Sequence, residues 1–350
     1  EKVPNDLAVV KGELTSQDTD GWSTLINCAS SHIYLKQMNR KCESALENGA
    51  EPVRVLSSVL GQNYPSDELE YSWKKLMQNH PHDSICCCSV DEVQDEMATR
   101  FNKSKQVADY LVSEGTRYIA DKINTKEYEK YKNALPFVVF NTTGRKRTSV
   151  VSVEIDVTRK SGWLKKCAYD LDEINVPNYK LIDSAGNSIP FKIEDLGVRF
   201  GYDLPKDKFR QPYMARRVRV TFEAENISAV GYKTYALVEG DAEKVTDTLV
   251  SGENCMENDA IRVEINKNGS LNVTDKASGR TYKGVAYYEE TGDLGNEYMY
   301  KMPEGSKAIT TQDTVAKIEL AEDEPYRAMY KITNTITVPK SGDDNFEDEK

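Results

Sequence analysis

The stretch SVDEVQDEMATRFNKSKQVADYLVSEGTRYI, residues 89–119, carries the clearest structural pattern in the chain. Its apolar and small side chains recur at intervals of three, four or eight residues, at Val90, Val93, Met97, Phe101, Ser104, Ala108, Leu111 and Ile119. This spacing predicts one long helix with a single buried stripe. Ser89 and Glu92 have the spacing of a capping box, so we expect Ser89 to cap the start of this helix.

Two further helices are predicted upstream of this stretch. Apolar residues repeat with helical spacing from Ile33 to Leu46, and Asn48-Gly49 is expected to end or bend that helix before the pattern continues to Gly61. A second helix is predicted from about Ser66 to Met77. Long helices joined by short loops indicate an antiparallel three-helix bundle over residues 21–130.

After about residue 134 the apolar period falls to two, which is typical of strands. Strands are predicted at 137–140, 150–157, 217–222 and 235–238, and the pattern at 261–273 predicts a hairpin that turns at Asn268-Gly269. The fold class is therefore α+β and multidomain, with the bundle followed by all-β sandwich domains. We expect a small sandwich over 131–243 and the start of a larger one over 244–350.

Composition limits the class of function. The chain has 350 residues and a net charge of −11, which argues against a nucleic-acid partner. It contains no apolar run near the ~18 residues that a membrane-spanning helix needs. Seven cysteines, three of them consecutive, do not suggest a secreted disulfide framework, and without a signal peptide we expect a cytoplasmic location. Both ends read as cut from a longer protein, and a homo-oligomer is left open.

One segment concentrates groups that can do chemistry. Residues 78–89 read QNHPHDSICCCS and contain His80, His82, Asp83 and three thiols. A metal site and a Cys/His nucleophile are both conceivable, but His-Pro-His spacing does not place two imidazoles on one helix face, and no Cys-x-x-Cys pair occurs. A third interpretation is structural: a histidine caps a helix, and the cysteines pack as small apolar groups.

This segment resembles a known family. The pattern NHPHDSIC-x-CSVDEV, residues 79–93, is similar to the segment that closes the active site of bacterial glycoside hydrolase family 38 α-mannosidases. Residues 9–14 (VVKGEL) resemble the end of that family's catalytic barrel, residues 22–123 its middle domain, and residues 292–298 (GDLGNEY) a stretch of its C-terminal β region.

The resemblance implies roles for three residues. His82 matches the histidine that completes a zinc site whose other ligands lie in the barrel, although another divalent cation is left open. Asp83 matches a carboxylate that accepts hydrogen bonds from the sugar, and Tyr298 matches an aromatic residue that contacts the same sugar. Residues 1–20 would be a connector from a missing N-terminal catalytic barrel. Cys87 stands where the family usually has Gly, from which we expect that its backbone does not need a Gly-only conformation.

The resemblance therefore implies a fragment of a metal-dependent retaining α-mannosidase that removes terminal α-linked mannose from oligosaccharides. The nucleophile and the acid/base, which retaining enzymes hold about 5–5.5 Å apart, would lie in the barrel, so the isolated chain is expected to be inactive. The alternative is a non-catalytic carbohydrate-binding or scaffolding module. A third hypothesis is a Cys/His metal-binding protein.

Overall fold

The structure is a computed structural model that describes residue 28 and residues 31–205, 207–243, 246–293 and 302–340. Backbone contacts divide the chain into two compact units. The described part of the first unit is residue 28 with 31–121, 289–293, 302–310 and 336–340. The described part of the second unit lies within 122–288 and 311–335. We describe each unit by itself.

The first unit is mainly helical. Its helices are α1 (Ile33–Ala45), α2 (Glu51–Val59), α3 (Ser66–Met77), α4 (His82–Ile85) and α5 (Asp91–Ala120). A short π-helical turn, Leu46–Ala50, joins α1 to α2, and it contains the Asn48-Gly49 pair at which a bend was expected. The regular α-helix α1 therefore ends just before Asn48-Gly49 and the pattern continues in α2, which confirms that this pair interrupts the helix.

Helices α1, α2 and α3 all pack against α5. The predicted stripe on α5 is buried from Met97 to Ile119, and it shares a core with Leu35, Leu46 and Leu76. At the start of α5 the prediction was wrong. Val90, not Ser89, is the residue before the first helical turn, and no side chain among the described residues caps the helix.

The second unit is mainly β-structure with one helix, α6 (Leu164–Asp172). Its first strands are β1 (Leu135–Asn141), β2 (Arg147–Lys160), β3 (Tyr179–Asp183), β4 (Ser188–Ile189), β5 (Phe191–Asp203), β6 (Gln211–Ile227) and β7 (Gly231–Glu239). They form two antiparallel sheets with the orders β1-β7-β3-β4 and β2-β6-β5. Buried side chains of both sheets, such as Leu181 and Leu237 from one and Val218 and Phe222 from the other, make one core.

The other strands of the second unit are β8 (Val250–Gly252), β9 (Cys255–Glu257), β10 (Ile261–Ile265), β11 (Leu271–Asp275), β12 (Arg280–Val285), β15 (Lys317–Glu324) and β16 (Arg327–Thr333). Strands β13 (Glu289–Glu290) and β14 (Ile309–Thr310) belong to the first unit and pair with each other. Strand β10 pairs with β11 from Ile261↔Asp275 to Ile265↔Leu271, which confirms the predicted hairpin. Gly269 in its turn has a φ of +83°, a conformation that glycine adopts without strain.

The helical and β-rich parts confirm the α+β class. The domain limits 21–130, 131–243 and 244–350 stay predictions. Among the described residues, no helix is both long and apolar enough to cross a membrane.

Candidate active-site loop

The candidate site lies on residues 79–89, here called the site loop, which connect α3 to α5 and include α4. Two buried amide side chains hold its ends. Asn79 is fully buried, and its Nδ2 donates to the carbonyl of Met97 at 3.1 Å. Gln94 on α5 donates through Nε2 to the carbonyls of Cys87 and Ser89. Since both amides belong to or contact the helical core, the loop is attached to a rigid base.

His82 and Asp83 point away from that core. Their side chains are 83% and 71% exposed, and His82 Nε2 lies 3.1 Å from Asp83 Oδ1. Pro81 precedes them with a φ of −49°, and the carbonyl of His82 accepts the N–H of Cys86 at 2.9 Å. The short turn of helix therefore presents an imidazole and a carboxylate side by side toward solvent.

His80 has a different environment from His82. Its Nε2 lies 2.8 Å from Asn39 Oδ1 on α1, so the ring ties the site loop to another helix. We expected the two imidazoles not to share a helix face, and in the structure they bond to different partners. At α4, Pro81 occupies the capping position and no side chain in the described part of the chain bonds there, so the structure does not support the interpretation that a histidine caps this helix.

The expectation for Cys87 is also wrong. Its φ is +65°, in the left-handed region that favours glycine, although its side chain is 3% exposed. Two contacts hold this conformation: Gln94 Nε2 binds the Cys87 carbonyl at 3.2 Å, and Lys36 Nζ lies 3.1 Å from Cys87 Sγ. A conformation that the local sequence disfavours is therefore fixed by contacts from α5 and α1.

Ser89, which we expected to cap α5, instead donates through Oγ to the carbonyl of Asp83 at 2.9 Å. Because α5 begins at Asp91, Ser89 is one residue too early to cap it. The hydroxyl therefore closes the site loop on itself. This bond fixes the backbone of Asp83 while leaving its carboxylate free to face solvent.

The cysteines favour the structural interpretation. All seven lie in the part of the chain that the structure describes, and each is a reduced thiol rather than half of a disulfide. Burial raises the pKa of the Cys28 thiol, and the neighbouring Cys86 raises it further. Cys28, Cys42, Cys87, Cys167 and Cys255 are buried, as expected for thiols that pack as small apolar groups. Among the residues that the structure describes, no group of three His, Cys, Asp or Glu side chains is arranged to hold a metal ion.

These observations test how the loop fits the zinc ion that the resemblance implies. One imidazole beside one carboxylate matches the nitrogen and oxygen donors that Zn²⁺ accepts. The described residues supply no complete ligand set, but the exposed ring of His82 suits one ligand in a shared site. The donor chemistry fits, and the remaining ligands would have to come from other polypeptide.

The remaining positions for which the resemblance implies a role cannot be located in the structure. Tyr298 and residues 1–20 lie outside the described residues. Sequence reasoning also missed two residues that support the loop, Gln94 and Lys36. For Gln94 a signal existed, because it lies four residues after Val90 and three before Met97, a polar side chain on the apolar stripe. Lys36 gave no comparable signal.

An α+β chain that presents an imidazole and a carboxylate on a loop above a helical core is compatible with a glycoside hydrolase. Comparison with known families supports this class. The alpha mannosidase middle domain matches residues 23–119, and the glycosyl hydrolases family 38 C-terminal domain 1 matches residues 132–239. The chain therefore contains an alpha mannosidase middle domain and a glycosyl hydrolases family 38 C-terminal domain 1.

Individual relatives agree with this assignment. A protein of Halalkalibacterium halodurans named "Putative mannosylglycerate hydrolase" is 40% identical over 365 residues, which is 100% of this chain and 39% of that protein. An alpha-mannosidase from Enterococcus faecalis V583 has a TM-score of 0.89 and 41% identity, covering 99% of this chain and 39% of its own length. A family 38 protein from Enterococcus faecalis has a TM-score of 0.86 and 38% identity, covering 92% of this chain and 38% of its own. The chain thus spans about two fifths of these relatives.

Proposed function

We propose that this chain forms part of a zinc-dependent retaining α-mannosidase that removes terminal α-linked mannose from oligosaccharides. The observation that carries the proposal is the exposed His82–Asp83 pair on the site loop, in a chain whose family is that of glycosyl hydrolases. We also propose that α1 with α2, α3 and α5 constitute the three-helix bundle of the middle domain.

In this proposal the metal is shared between polypeptide segments. His82 holds it through one ring nitrogen, and a bound zinc ion would supply Lewis-acid chemistry and fix hydroxyls of the sugar. The imidazole can be placed precisely because Asn79 and Gln94 attach the loop to the core, and Ser89 closes it. Precise placement is what a catalytic arrangement requires of a residue contributed from outside the main domain.

Asp83 has a separate role in the proposal. Its exposed carboxylate accepts hydrogen bonds from hydroxyls of the bound mannose, and Tyr298 contacts the same sugar. We assign no catalytic residue to this chain. The nucleophile and the acid/base belong to another part of a longer protein, so the 350-residue chain alone does not hydrolyse mannosides.

A second substrate class is favoured by a specific observation. The Halalkalibacterium relative, 40% identical over the whole chain, is named for the hydrolysis of mannosylglycerate. The same ligand and sugar contacts would serve an α-mannosyl group attached to glycerate, because only the leaving group differs. Assays of both substrate types separate these candidates.

The test uses the full-length protein that contains this chain. We expect His82→Ala to lower zinc content, measured by elemental analysis, and to lower turnover of 4-nitrophenyl α-mannoside or mannosylglycerate by at least about 100-fold. The helical signal in circular dichroism should persist, because the His82 ring packs against nothing in the core. The matched control is His32→Asn, an exposed imidazole outside the site loop at a φ of 44°, which asparagine tolerates.

Asp83→Asn separates sugar binding from metal binding. We expect it to retain zinc while KM rises, because the amide accepts hydroxyl hydrogen bonds more weakly than the carboxylate. Near-normal metal content and turnover in His82→Ala would refute the proposal. A wild-type protein that binds mannosides but cleaves neither substrate would support the non-catalytic module instead.

A further inference from the structure

His80 takes part in a chain of hydrogen bonds that the proposed function does not use. Its Nε2 lies 2.8 Å from Asn39 Oδ1 on α1, and Asn39 Nδ2 donates to Glu43 Oε1, one turn further along the same helix, at 2.8 Å. Glu43 is held in turn by Arg40, whose guanidinium lies 3.3 Å from Glu43 Oε2. We call His80, Asn39 and Glu43 the α1 clamp. It connects the start of the site loop to a regular helix of the same unit.

The hydrogen bonds of the α1 clamp have a fixed direction. An ionised carboxylate accepts hydrogen bonds and cannot donate them, so the amide nitrogen of Asn39 must face Glu43. The amide oxygen of Asn39 therefore faces His80, and this oxygen can only accept. It follows that His80 Nε2 carries a hydrogen, an assignment that rests on the neighbouring groups. The imidazole of His80 is thus oriented by its partners rather than by solvent.

A second contact from α1 reaches the other end of the site loop. Lys36 Nζ lies 3.1 Å from Cys87 Sγ, and the same amine donates to the carbonyl of Ser31 at 2.6 Å. Lys36 and Asn39 are three residues apart in α1, so they lie on the same face of the helix. One face of α1 therefore holds the site loop both before and after His82.

Only one residue, Pro81, separates the clamped His80 from His82. The proline ring restricts its own φ, here −49°, and it also limits the backbone of the residue before it. Few backbone rotations are therefore available between the two histidines. Asn79 and Gln94 attach the loop to α5, whereas the clamp attaches it to α1. Because the His82 side chain is 83% exposed, its direction depends on the backbone that these contacts hold.

We propose that His80 is a positioning residue, which acts through Asn39 and Glu43 to hold the backbone of the site loop where His82 can meet its metal ion. The inference rests on the proposed function for the identity of that metal, and it gives His80 no contact with metal or sugar. Residues that orient a metal ligand are worth about 10–100-fold in metal affinity or activity without touching the metal. His80 itself is exposed, so the loss of its bond should change the position of the loop and not the stability of the fold.

The first test compares two amide substitutions of His80 in the full-length protein that contains this chain. Glutamine can place an N–H group where His80 Nε2 lies, whereas the shorter asparagine cannot reach Asn39. We expect His80→Asn to raise the Kd for zinc, measured by competition with a chromophoric chelator, on the order of tenfold, and to lower kcat/KM by a similar factor. His80→Gln should remain close to wild type in both measurements. The control is His32→Asn, the same chemical change at an exposed histidine outside the site loop.

A second test reverses the bond between Asn39 and Glu43 while keeping an acceptor for His80. Asn39→Asp alone brings two carboxylates together, so it should weaken zinc binding as His80→Asn does. Adding Glu43→Gln restores the hydrogen bond with the donor on the other residue, and the double variant should regain most of the lost affinity. The exposed ion pair to Arg40 that this variant loses contributes little. We expect one melting temperature for all these variants, which separates positioning from a loss of folding.

Hydrogen exchange on the 350-residue chain gives a readout that needs neither metal nor activity. The N–H of Cys86 donates to the carbonyl of His82, and the N–H of Cys87 donates to the carbonyl of Ser84. Exchange of these two amides should accelerate in His80→Asn and stay at the wild-type rate in His80→Gln, because only the first variant releases the loop from α1.

The outcomes separate this inference from the proposed function. Wild-type zinc affinity and exchange in His80→Asn, with loss of zinc in His82→Ala, would overturn the inference and leave the proposed function intact. Equal losses in His80→Asn and His80→Gln would also overturn it, since the imidazole would then act through something other than its bond to Asn39. Near-normal zinc content in His82→Ala would refute the proposed function and, with it, the link from the clamp to the metal. Faster exchange in His80→Asn alone would even then support the clamp as the attachment of the site loop to α1.

Discussion

The Nε2 of Gln94 donates to the backbone carbonyl of Cys87 at 3.2 Å, joining the buried face of α5 to a site-loop residue with a φ of +65°. The same nitrogen lies 2.9 Å from the carbonyl of Ser89. One side chain therefore holds two successive turns of the loop that presents His82 and Asp83. Its amide is 4% exposed, so water cannot replace it without opening the core.

Replacing Gln94 by Leu should loosen the site loop. Leucine keeps the volume but leaves two carbonyls without their donor, so we expect the free energy of unfolding to fall by about 1–3 kcal/mol. Hydrogen exchange of amides 84–88 should accelerate more than that of the amides in α3. Urea unfolding and exchange mass spectrometry measure both effects. Gln106→Leu, an exposed position on the same helix, is the control. Equal exchange in the two variants would contradict a positioning role for Gln94.

At Cys87 we expect a glycine variant to be more stable than an alanine variant, which is the reverse of the order inside a helix. At a φ of +65° a Cβ atom costs roughly 1 kcal/mol, so Cys87→Gly should be more stable than Cys87→Ala by about that amount. Cys42 is the matched control, because it is equally buried but lies inside α1. Inside this helix, the free energy of unfolding of Cys42→Ala should exceed that of Cys42→Gly by about 1 kcal/mol. Chemical unfolding measures these differences. If the alanine variant is the more stable one at both positions, the backbone of Cys87 is not strained.

Much of the helical part could be predicted because its signals are local and periodic. The stripe from Met97 to Ile119 follows from spacing alone, and the interruption near Asn48 follows from the Asn-Gly pair. The start of α5 was misplaced by one residue because Ser89 bonds to the carbonyl of Asp83 rather than to the helix. A capping pattern shows which bonds a side chain can make, and the fold decides which one forms.

The candidate site was only partly accessible to sequence reasoning. The motif around His82 was visible, but the positive φ of Cys87 was not, since Gln94 and Lys36 impose it from other helices. The cavity lined by Asp183, Lys233 and Tyr326 gave no signal in the sequence, because these side chains are far apart in the chain and meet only through strand pairing and sheet packing.

Two tyrosines predict a loss of stability at alkaline pH. Burial raises the pKa of Tyr235 and of Tyr326 to about 12, against about 10 in the unfolded chain. Below pH 10 both phenols are protonated in the native and in the unfolded state, so their contribution to the free energy of unfolding does not change with pH. Between about pH 10 and 12 the unfolded state releases protons that the native state retains, so the free energy of unfolding decreases as pH rises.

Urea unfolding across this pH interval checks that expectation. Tyr235→Phe and Tyr326→Phe should each flatten the decline, because each removes one group that titrates differently in the two states. The control variant is Tyr232→Phe, which removes an exposed phenol on β7. A decline equally steep in wild type and both buried variants would mean that other groups are responsible.

Gly115 predicts a tight contact between α5 and α2. A Cβ atom placed there would lie 2.6 Å from Val53 Cγ1 and 3.1 Å from Arg54 Cδ. Arg54 cannot easily withdraw, because its guanidinium donates to Gln62 and to the carbonyl of Asn63. We therefore expect Gly115→Ala to destabilise the chain by about 1–3 kcal/mol, although alanine favours a helix by about 1 kcal/mol.

A double-mutant cycle tests the cause. Val53→Ala removes the nearest atom, so Gly115→Ala should cost less in that background, with a favourable coupling of about 0.5–3 kcal/mol. The control is Ser113, an exposed position on the same helix where only helix propensity acts. There the Ser113→Ala variant should be more stable than Ser113→Gly by about 1 kcal/mol. If Gly115→Ala instead stabilises the chain by the amount seen at Ser113, the two helices have room for a methyl group, and the close approach of α5 to Val53 is refuted.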